Sequence, residues 1–320
     1  MVKHAGVIGR HSVVCAILIF LLAGMALPAG IEKVTLGLHL KAGQSFNLLN
    51  VIELDLTQSV MNQEMNISQT MGMGYKFEVQ EVGSDGIAAC KVTYTSVQMT
   101  MAMGGTKVEY DSAKPSANPP AAVKPMAALL GQSFTLRVSP TGRVTEVRGI
   151  EALYEKVIKE AEVPDESLRP MMEQQFKEQF GAEAIKESME QAIGAYFPES
   201  AVDIGDTWSR QTAVTRPYPM TWASTCTLKD RKNGIAIIDV TGKITSNPAA
   251  KPMQMGTMSM SYELTGERKG QIEIEEASGW TVGARFTQQI SGTIKATGTP
   301  GGDLSIPMAG KINIRIESKK

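Results

Sequence analysis

The segment TMGMGYKFEV, residues 70–79, decides the fold class. Its apolar side chains stand at alternate positions, which are Met71, Met73, Tyr75, Phe77 and Val79. The positions between them hold threonine, glycine, lysine and glutamate. Successive side chains of a strand point to opposite faces, so this alternation predicts a strand of an antiparallel sheet with one buried face and one wet face.

The same period continues beyond this segment, in two related hairpins. VGSDG (82–86) predicts a turn, and IAACKVTYTSVQMTMAM (87–103) then resumes the alternation. Downstream, TCTLKDRKNGIAIIDVTGKI (225–244) shares the tripeptide GIA with the first hairpin. Asp85-Gly86 and Asn233-Gly234 both favour the positive φ angles of tight hairpin turns.

The entry strands of the two hairpins also match. LKAGQSF (40–46) and VDIGDTW (202–208) each place an aromatic residue three positions after a glycine. The sequence therefore predicts a mainly β (α+β) protein with two homologous curved antiparallel β-sheet units. We assign the first unit to residues 30–148 and the second to residues 199–320.

Between these units the apolar period becomes helical, which predicts a helical connector over residues 149–198. One apolar stripe lies in IEALYEKVIKEAEV (150–163), and later stripes comprise Met172, Phe176 and Phe180, then Ile185, Met189 and Ile193. Each helix has one apolar face, so we expect the helices to pack on the open face of a β unit. The proline- and alanine-rich segment 112–128 is expected to be an exposed, mobile loop without core residues.

The N-terminus has the pattern of a secretory signal peptide over residues 1–29. Lys3 and Arg10 precede the apolar run 13–27, and small residues stand near its end at Ala26 and Ala29. The run is short for a membrane span, which needs roughly 20 residues, although an uncleaved anchor remains open. We expect an exported protein, periplasmic or secreted, with no membrane span after removal of the signal.

The composition limits the kinds of binding and catalytic site that the chain can form. The formal net charge is −1, and the sequence has no cluster of basic residues that would bind nucleic acid. His39 is the one histidine outside the leader, so a multi-histidine zinc site is excluded there. No phosphate-binding loop or nucleophile motif is present, and the sequence predicts neither an enzyme nor a cofactor. An enzyme that uses carboxylates alone is the alternative.

Cys90 and Cys226 could form a disulfide in an exported protein or remain buried thiols.

Methionine is concentrated in VQMTMAM (97–103) and MQMGTMSMSY (253–262). Three interpretations are open: the apolar face of strands, a thioether site for Cu(I), or exposed side chains. The stripes continue into tyrosine, phenylalanine and valine, which favours an apolar face. A bulge at Gly256-Thr257 would keep the second stripe on one side. Methionine suits a changeable apolar ligand, and the predicted ligand-binding residues are Met71, Met73, Phe77, Met99, Met101, Met103, Met258 and Met260.

The ordered stretches LKAGQSF (40–46), YKFEV (75–79), DGIA (85–88), VSPTGRVTEVRG (138–149) and FPESAVDIGDTW (197–208) resemble an uncharacterised family of exported bacterial proteins, a domain of unknown function. The resemblance implies no activity and no catalytic residues. In architecture the chain is also similar to periplasmic lipoprotein and lipid carriers. We therefore expect a non-catalytic binding or carrier protein for an apolar small molecule, lipid or lipoprotein acyl chain, or for an envelope protein. A structural envelope protein with solid cores is the alternative, and Cu(I) handling is a further one.

Overall fold

A computed structural model describes residues 33–319 apart from 61–62, 117–118, 121–122, 161–168, 170–172, 175–176, 178–179, 195, 216–218, 248–249, 251, 256–257 and 300. The predicted leader, Met172, Phe176 and the Gly256-Thr257 bulge lie outside the described residues. The strands are β1 (Ser45–Val60), β2 (Gln63–Val82), β3 (Ala88–Met103), β4 (Thr106–Asp111), β5 (Ser133–Val138), β6 (Val144–Arg148), β7 (Thr207–Val214), β8 (Met220–Lys232), β9 (Ile235–Ser246), β10 (Met253–Met255), β11 (Met258–Glu275), β12 (Thr281–Thr297) and β13 (Leu304–Lys319). The described helices are α1 (Lys124–Ala127), α2 (Ile150–Glu160) and α3 (Ala182–Ile193).

All thirteen strands belong to one antiparallel sheet, so the predicted mainly β class is correct. The strand order is β6-β5-β3-β2-β1-β13-β12-β11-β9-β8-β7, with β4 added to β3 and β10 added to β11. The first and the last strand pair along most of their length, from Asn47 opposite Lys319 to Gln58 opposite Met308. The two predicted units are thus joined in a single sheet, because β1 and β13 satisfy each other's edge hydrogen bonds. Their homology stays a prediction.

The hairpin turns follow the expected chemistry. Gly86 has a φ of 77°, and Asn233 and Gly234 have φ angles of 53° and 75°. The second methionine run differs from the expectation of one bulged strand. Met253 lies opposite Met260 and Met255 opposite Met258, so the run consists of two paired strands, β10 and β11.

The buried side chains of the sheet form two clusters. The helix-side core contains Phe46, Tyr75, Phe77 and Phe286 from the strands, Trp280 from the turn between β11 and β12, Leu153 and Val157 from α2, and Met189 and Ile193 from α3. The distal core contains Leu56, Val214, Met220, Trp222, Ile244, Leu264, Ile290, Ile294 and Met308. In β3 the register shifts at Thr95, so that Tyr94 and Val97 both lie in the helix-side core. Such a bulge keeps the apolar residues on one face.

Segment 112–128 corrects one expectation. Val123 and Met126 are buried in the described part of this segment, and Met126 belongs to the helix-side core. They are the larger apolar residues of a stretch rich in alanine and proline, and α1 places Met126 against the core, so this end of the loop contributes to packing. Among the helices that the structure describes, none is long and apolar enough to cross a bilayer.

Cys90 and Cys226 are both buried free thiols, so the disulfide that the sequence left open is not formed. The two residues lie on β3 and β8, with six strands between them in the sheet order. Burial raises the pKa of Cys90 to about 12 and the pKa of Cys226 to about 11. Thiols with such pKa values stay protonated near neutral pH and behave as small apolar side chains.

Candidate ligand-binding face

The eight predicted residues do not lie in one place. Six of them are on the paired strands β2 and β3, where Met71 lies directly opposite Met99. The other two, Met258 and Met260, are on β11, four strand steps from β2 and thus roughly 19 Å away along the sheet. Met260 packs against the distal core. The predicted set therefore divides into two groups.

Burial differs widely within the first group. Phe77, Met73 and Met99 are buried, and Met71 and Met101 are half-buried. Met103, at the end of β3, is 44% exposed. Phe77 is enclosed by aromatic rings, with the Trp280 ring centroid 5.0 Å away in an edge-on arrangement. The inner end of the stripe is thus part of a packed core, and its outer end can be reached from solvent.

Half-exposed apolar side chains cross the same face between the two cores. Directly opposite residues of an antiparallel pair point to the same side of the sheet. One row of such pairs joins Met71 to Ile52 and Ile52 to Ile314. The next row joins Met101 to Gln69, Gln69 to Leu54, and Leu54 to Ile312. We call the apolar members of this set the apolar band: Ile52, Leu54, Met71, Met101, Ile312 and Ile314. Ile52 is 37% exposed, and the other five are half-buried.

The band is bounded by the two cores. Met71 and Ile314 pack against the helix-side core, whereas Leu54 and Ile312 pack against the distal core. Ile52 lies between these contacts. A single exposed isoleucine is ordinary, but a row of apolar side chains that spans four neighbouring strands, β3, β2, β1 and β13, is a surface that a ligand or partner can cover.

A row of polar side chains begins where the apolar band ends. Successive register pairs join Arg210 on β7 to Ser224, Ser224 to Gly242, Gly242 to Arg268, and Arg268 to Gln288. Gln288 is opposite Ile312 of the band. Ser224, Arg268 and Gln288 are 6%, 4% and 1% exposed, so a buried polar row and the band form one continuous line.

Aromatic rings enclose the Arg268 guanidinium. Its central carbon lies 4.2 Å from the Trp222 ring centroid and 4.6 Å from that of Phe286. A Cβ at Gly270, two residues along β11, would lie 2.8 Å from Phe286 Cγ, so glycine there leaves room for this ring. Arg268 Nη2 donates to Tyr196 Oη at 2.8 Å. Burial raises the pKa of the Tyr196 hydroxyl, despite the opposing effect of Arg268, so this partner is a neutral phenol.

Several buried donors in this region have no acceptor among the described residues. They are Arg268 Nε, Gln288 Nε2, Trp222 Nε1 and Arg210 Nε. In addition, none of the ion pairs of the described residues involves Arg268. Buried polar groups normally have partners, and buried charges are normally paired. The region thus has an excess of donors and a positive charge that an acceptor could satisfy.

The prediction from sequence missed this polar row, although a signal was present. Arg268 has the same parity as Leu264 and Ile272, which are buried on β11. Gln288 likewise stands between Phe286 and Ile290, which are buried on β12. A charged residue at a core position of an alternating strand indicates either a partner or a function. The charged tetrapeptide ERKG (267–270) suggests a solvent-exposed loop, unless the alternation of buried and exposed positions along β11 is continued through it.

Three cavities of the described structure lie elsewhere. A depression of 580 Å³ next to the β3–β4 turn is lined by Met103 together with Leu56, Ile67 and polar residues. Two others, of 330 and 620 Å³, lie against β5 and β6 and along residues 198–210. Met103 is thus the predicted residue that lines one of these three.

Comparison with known proteins shows the family of the chain. Residues 85–281 match the model of a family of unknown function, DUF6263. The chain belongs to this family. The DUF6263 match includes Arg268 and extends from β3 to the start of β12. It confirms the resemblance to a family of unknown function. No curated protein sequence matches the chain.

Solved structures resemble the DUF6263 protein only distantly. A solved structure that describes lipid–protein interactions in lipovitellin aligns with a TM-score of 0.49 and 8% sequence identity. The alignment covers 87% of this chain and 26% of that chain. The present chain thus spans about a quarter of that protein's length. The outer membrane proteins OprD and OpdK from Pseudomonas aeruginosa have TM-scores of 0.20 and 0.18. Their identities are 6% and 8%, and the alignments cover 91% and 86% of this chain and 97% and 99% of theirs. Similarity at this level carries no functional argument.

Proposed function

We propose that this DUF6263 protein is a non-catalytic binding or carrier protein of the cell envelope, and that the apolar band holds an apolar ligand such as a lipid or a lipoprotein acyl chain. The leader-like residues 1–29 support export to the periplasm or the exterior. In this proposal residues 30–148 and 199–320 are related β units, and each contributes strands to the binding face.

One observation carries the proposal: Ile52 is 37% exposed in the middle of a sheet face, between the buried helix-side core and the buried distal core. Around it, Met71 and Ile314 lie directly across the neighbouring strands and are half-buried. An acyl chain laid over this line would remove apolar surface from water on both sides of Ile52. Each methylene buried contributes about 0.8 kcal/mol, so affinity should rise about fourfold per methylene until the band is covered.

The proposal can be tested with an uncharged environment-sensitive dye, N-phenyl-1-naphthylamine, and by native mass spectrometry of gently purified protein. We expect the dye to become fluorescent on the wild-type protein. Ile52→Lys should weaken dye binding at least tenfold, because it places a charge in the centre of the band. Ile204→Lys is the matched control, since Ile204 is also 37% exposed but lies outside the sheet strands. No dye uptake together with no co-purified lipid would refute the proposal.

The filled helix-side core favours a second candidate function. Phe46 stacks on Trp280 with ring centroids 4.3 Å apart, and Phe77 closes the same aromatic group. A solid core of this kind suits a structural envelope protein that only presents surfaces to partners. This candidate predicts equal and negligible dye binding by the wild-type protein, Ile52→Lys and Ile204→Lys.

A further inference from the structure

We propose that Arg268, with Gln288 and Trp222, binds the carboxylate of a single-chain acidic lipid whose tail lies on the apolar band. This inference rests on the proposed function, because it names the chemical class of the ligand. It goes beyond an apolar surface, since it assigns a polar end to the site and an orientation to the ligand.

The first argument is the charge of Arg268. The residue is 4% exposed and lies between the Trp222 and Phe286 rings. Among the described residues, its guanidinium donates a hydrogen bond to the neutral Tyr196 hydroxyl, and no described carboxylate pairs with it. A buried cation without a counterion is unfavourable, because desolvation is not offset by an opposite charge. A ligand with one negative charge would neutralise this group.

The second argument is the hydrogen-bonding capacity of the site. Arg268 Nε, Gln288 Nε2 and Trp222 Nε1 are buried donors that lack acceptors in the described structure. Arg268 and Gln288 are directly opposite each other on β11 and β12. An ionised carboxylate is an acceptor with two oxygens, and the guanidinium fork matches its planar geometry. Arg210 is already near Glu199, with 3.5 Å between Nη1 and Oε1, so one carboxylate would match Arg268, the arginine of the polar row that has no carboxylate among the described residues.

The third argument is the direction of the polar row. From Arg268 the direct register pairs continue through Gln288 to Ile312 and then to Leu54. Leu54 is three strand steps from Arg268, roughly 14 Å along the sheet. Ile52 and Ile314 of the apolar band are two residues further along these strands. A ligand with its carboxylate at Arg268 would therefore place its tail across β13 and β1 on the half-exposed residues.

The decisive experiment compares oleate with oleyl alcohol, which has the same tail without the charge. Both are used to displace N-phenyl-1-naphthylamine from the wild-type protein. Hydrogen bonds to a charged group correspond to an affinity difference of about 10- to 150-fold, and we expect oleate to bind more tightly by that factor. Arg268→Met should abolish the preference for oleate over the alcohol. Arg285→Met, which removes an exposed arginine of β12, should retain it.

A second readout depends on the charge of Arg268 itself. A neighbouring guanidinium favours the ionised carboxyl, so the pKa of bound oleate should be lower on the wild-type protein than on Arg268→Met. Oleate labelled with ¹³C at the carboxyl carbon reports this pKa by its chemical shift during a pH titration. If Arg268→Met does not fold, the wild-type titration and the comparison of oleate with the alcohol still test the inference, and Gln288→Leu provides a second variant.

The failure of this inference is distinguishable from that of the proposed function. Equal affinities for oleate and oleyl alcohol would overturn the carboxylate site and leave the apolar band as the binding surface. Displacement by neither lipid, with no dye uptake, would overturn the proposed function. Displacement by acetate at the concentrations that suffice for oleate would also overturn the inference, because it would reveal an anion site that is independent of a tail.

Discussion

Replacement of Gly279 by alanine should release the N-terminal segment 33–40 from the core. Gly279 has a φ of 70°, and a Cβ there would overlap the carbonyl group of Gly37 and lie 2.9 Å from Leu38 N. The segment is held at this point by a 2.8 Å hydrogen bond from His39 N to Ser278 O. It buries Leu36 and Leu38, each 4% exposed.

The magnitude follows from two contributions. A left-handed conformation costs a non-glycine residue about 1–2 kcal/mol. Exposure of the two leucines would cost a further 3–6 kcal/mol, at roughly 1.5–3 kcal/mol each. The total of about 4–8 kcal/mol is a large part of the 5–15 kcal/mol that is typical of a folded domain.

Gly43→Ala is the matched control for this prediction. Gly43 has a similar φ of 85°, but a Cβ there would meet nothing within 4 Å, so we expect a loss of about 1–2 kcal/mol. Urea denaturation followed by tryptophan fluorescence gives the free energy of unfolding of both variants, and limited proteolysis detects release of 33–40. If the two variants differ by less than about 1 kcal/mol, the contact between Gly37 and Gly279 does not hold the segment.

Two further predictions concern titratable groups. The hydrogen bond from Arg231 lowers the pKa of Glu276 below its ordinary value of 4.5, and both side chains are 19% exposed. The pair should therefore stabilise the fold by about 1–3 kcal/mol above pH 4.5, and this contribution should disappear as the pH falls through the lowered pKa. Urea denaturation at pH 7, 5 and 3 measures this pH dependence. Between pH 7 and pH 3 the free energy of unfolding should fall less for Glu276→Gln, which lacks the titrating carboxylate, than for the control Glu199→Gln, whose replaced carboxylate is 91% exposed. The raised pKa values of Cys90 and Cys226 predict no alkylation by iodoacetamide at pH 8 in the native state and complete alkylation in guanidinium chloride. Peptide mapping checks this result, and rapid native labelling would contradict the burial of these thiols.

Local patterns in the sequence were sufficient for much of the sheet. The alternation in 70–79 predicted the inner face of β2, where Met73, Tyr75 and Phe77 are buried. The helical stripes of α2 and α3 also predicted buried residues, among them Leu153 and Ile185. These features depend on side-chain direction within one element, which the period of the apolar residues reports directly.

Features that depend on distant parts of the chain were less accessible. No local signal pairs β1 with β13, because the pairing joins residues more than 240 positions apart, such as Gln58 and Met308. The division of the predicted methionine set has the same cause. Met99 and Met260 stand in equivalent sequence patterns, but they belong to distant strands of one sheet, and only the strand order shows this. The candidate carboxylate site required both parity and register, because Arg268 and Gln288 are 20 positions apart and meet only through β11–β12 pairing.

The seam between the first and the last strand has a consequence for biosynthesis. A nascent chain contains β1 long before β13 is made, so one edge of β1 stays open while the intervening strands form. Open strand edges invite association with other chains, and sheets dominated by long-range pairing fold slowly. A chaperone that shields this edge until β13 has been made would therefore raise the yield of the protein, and any cut that removes β13 would leave the chain prone to aggregation.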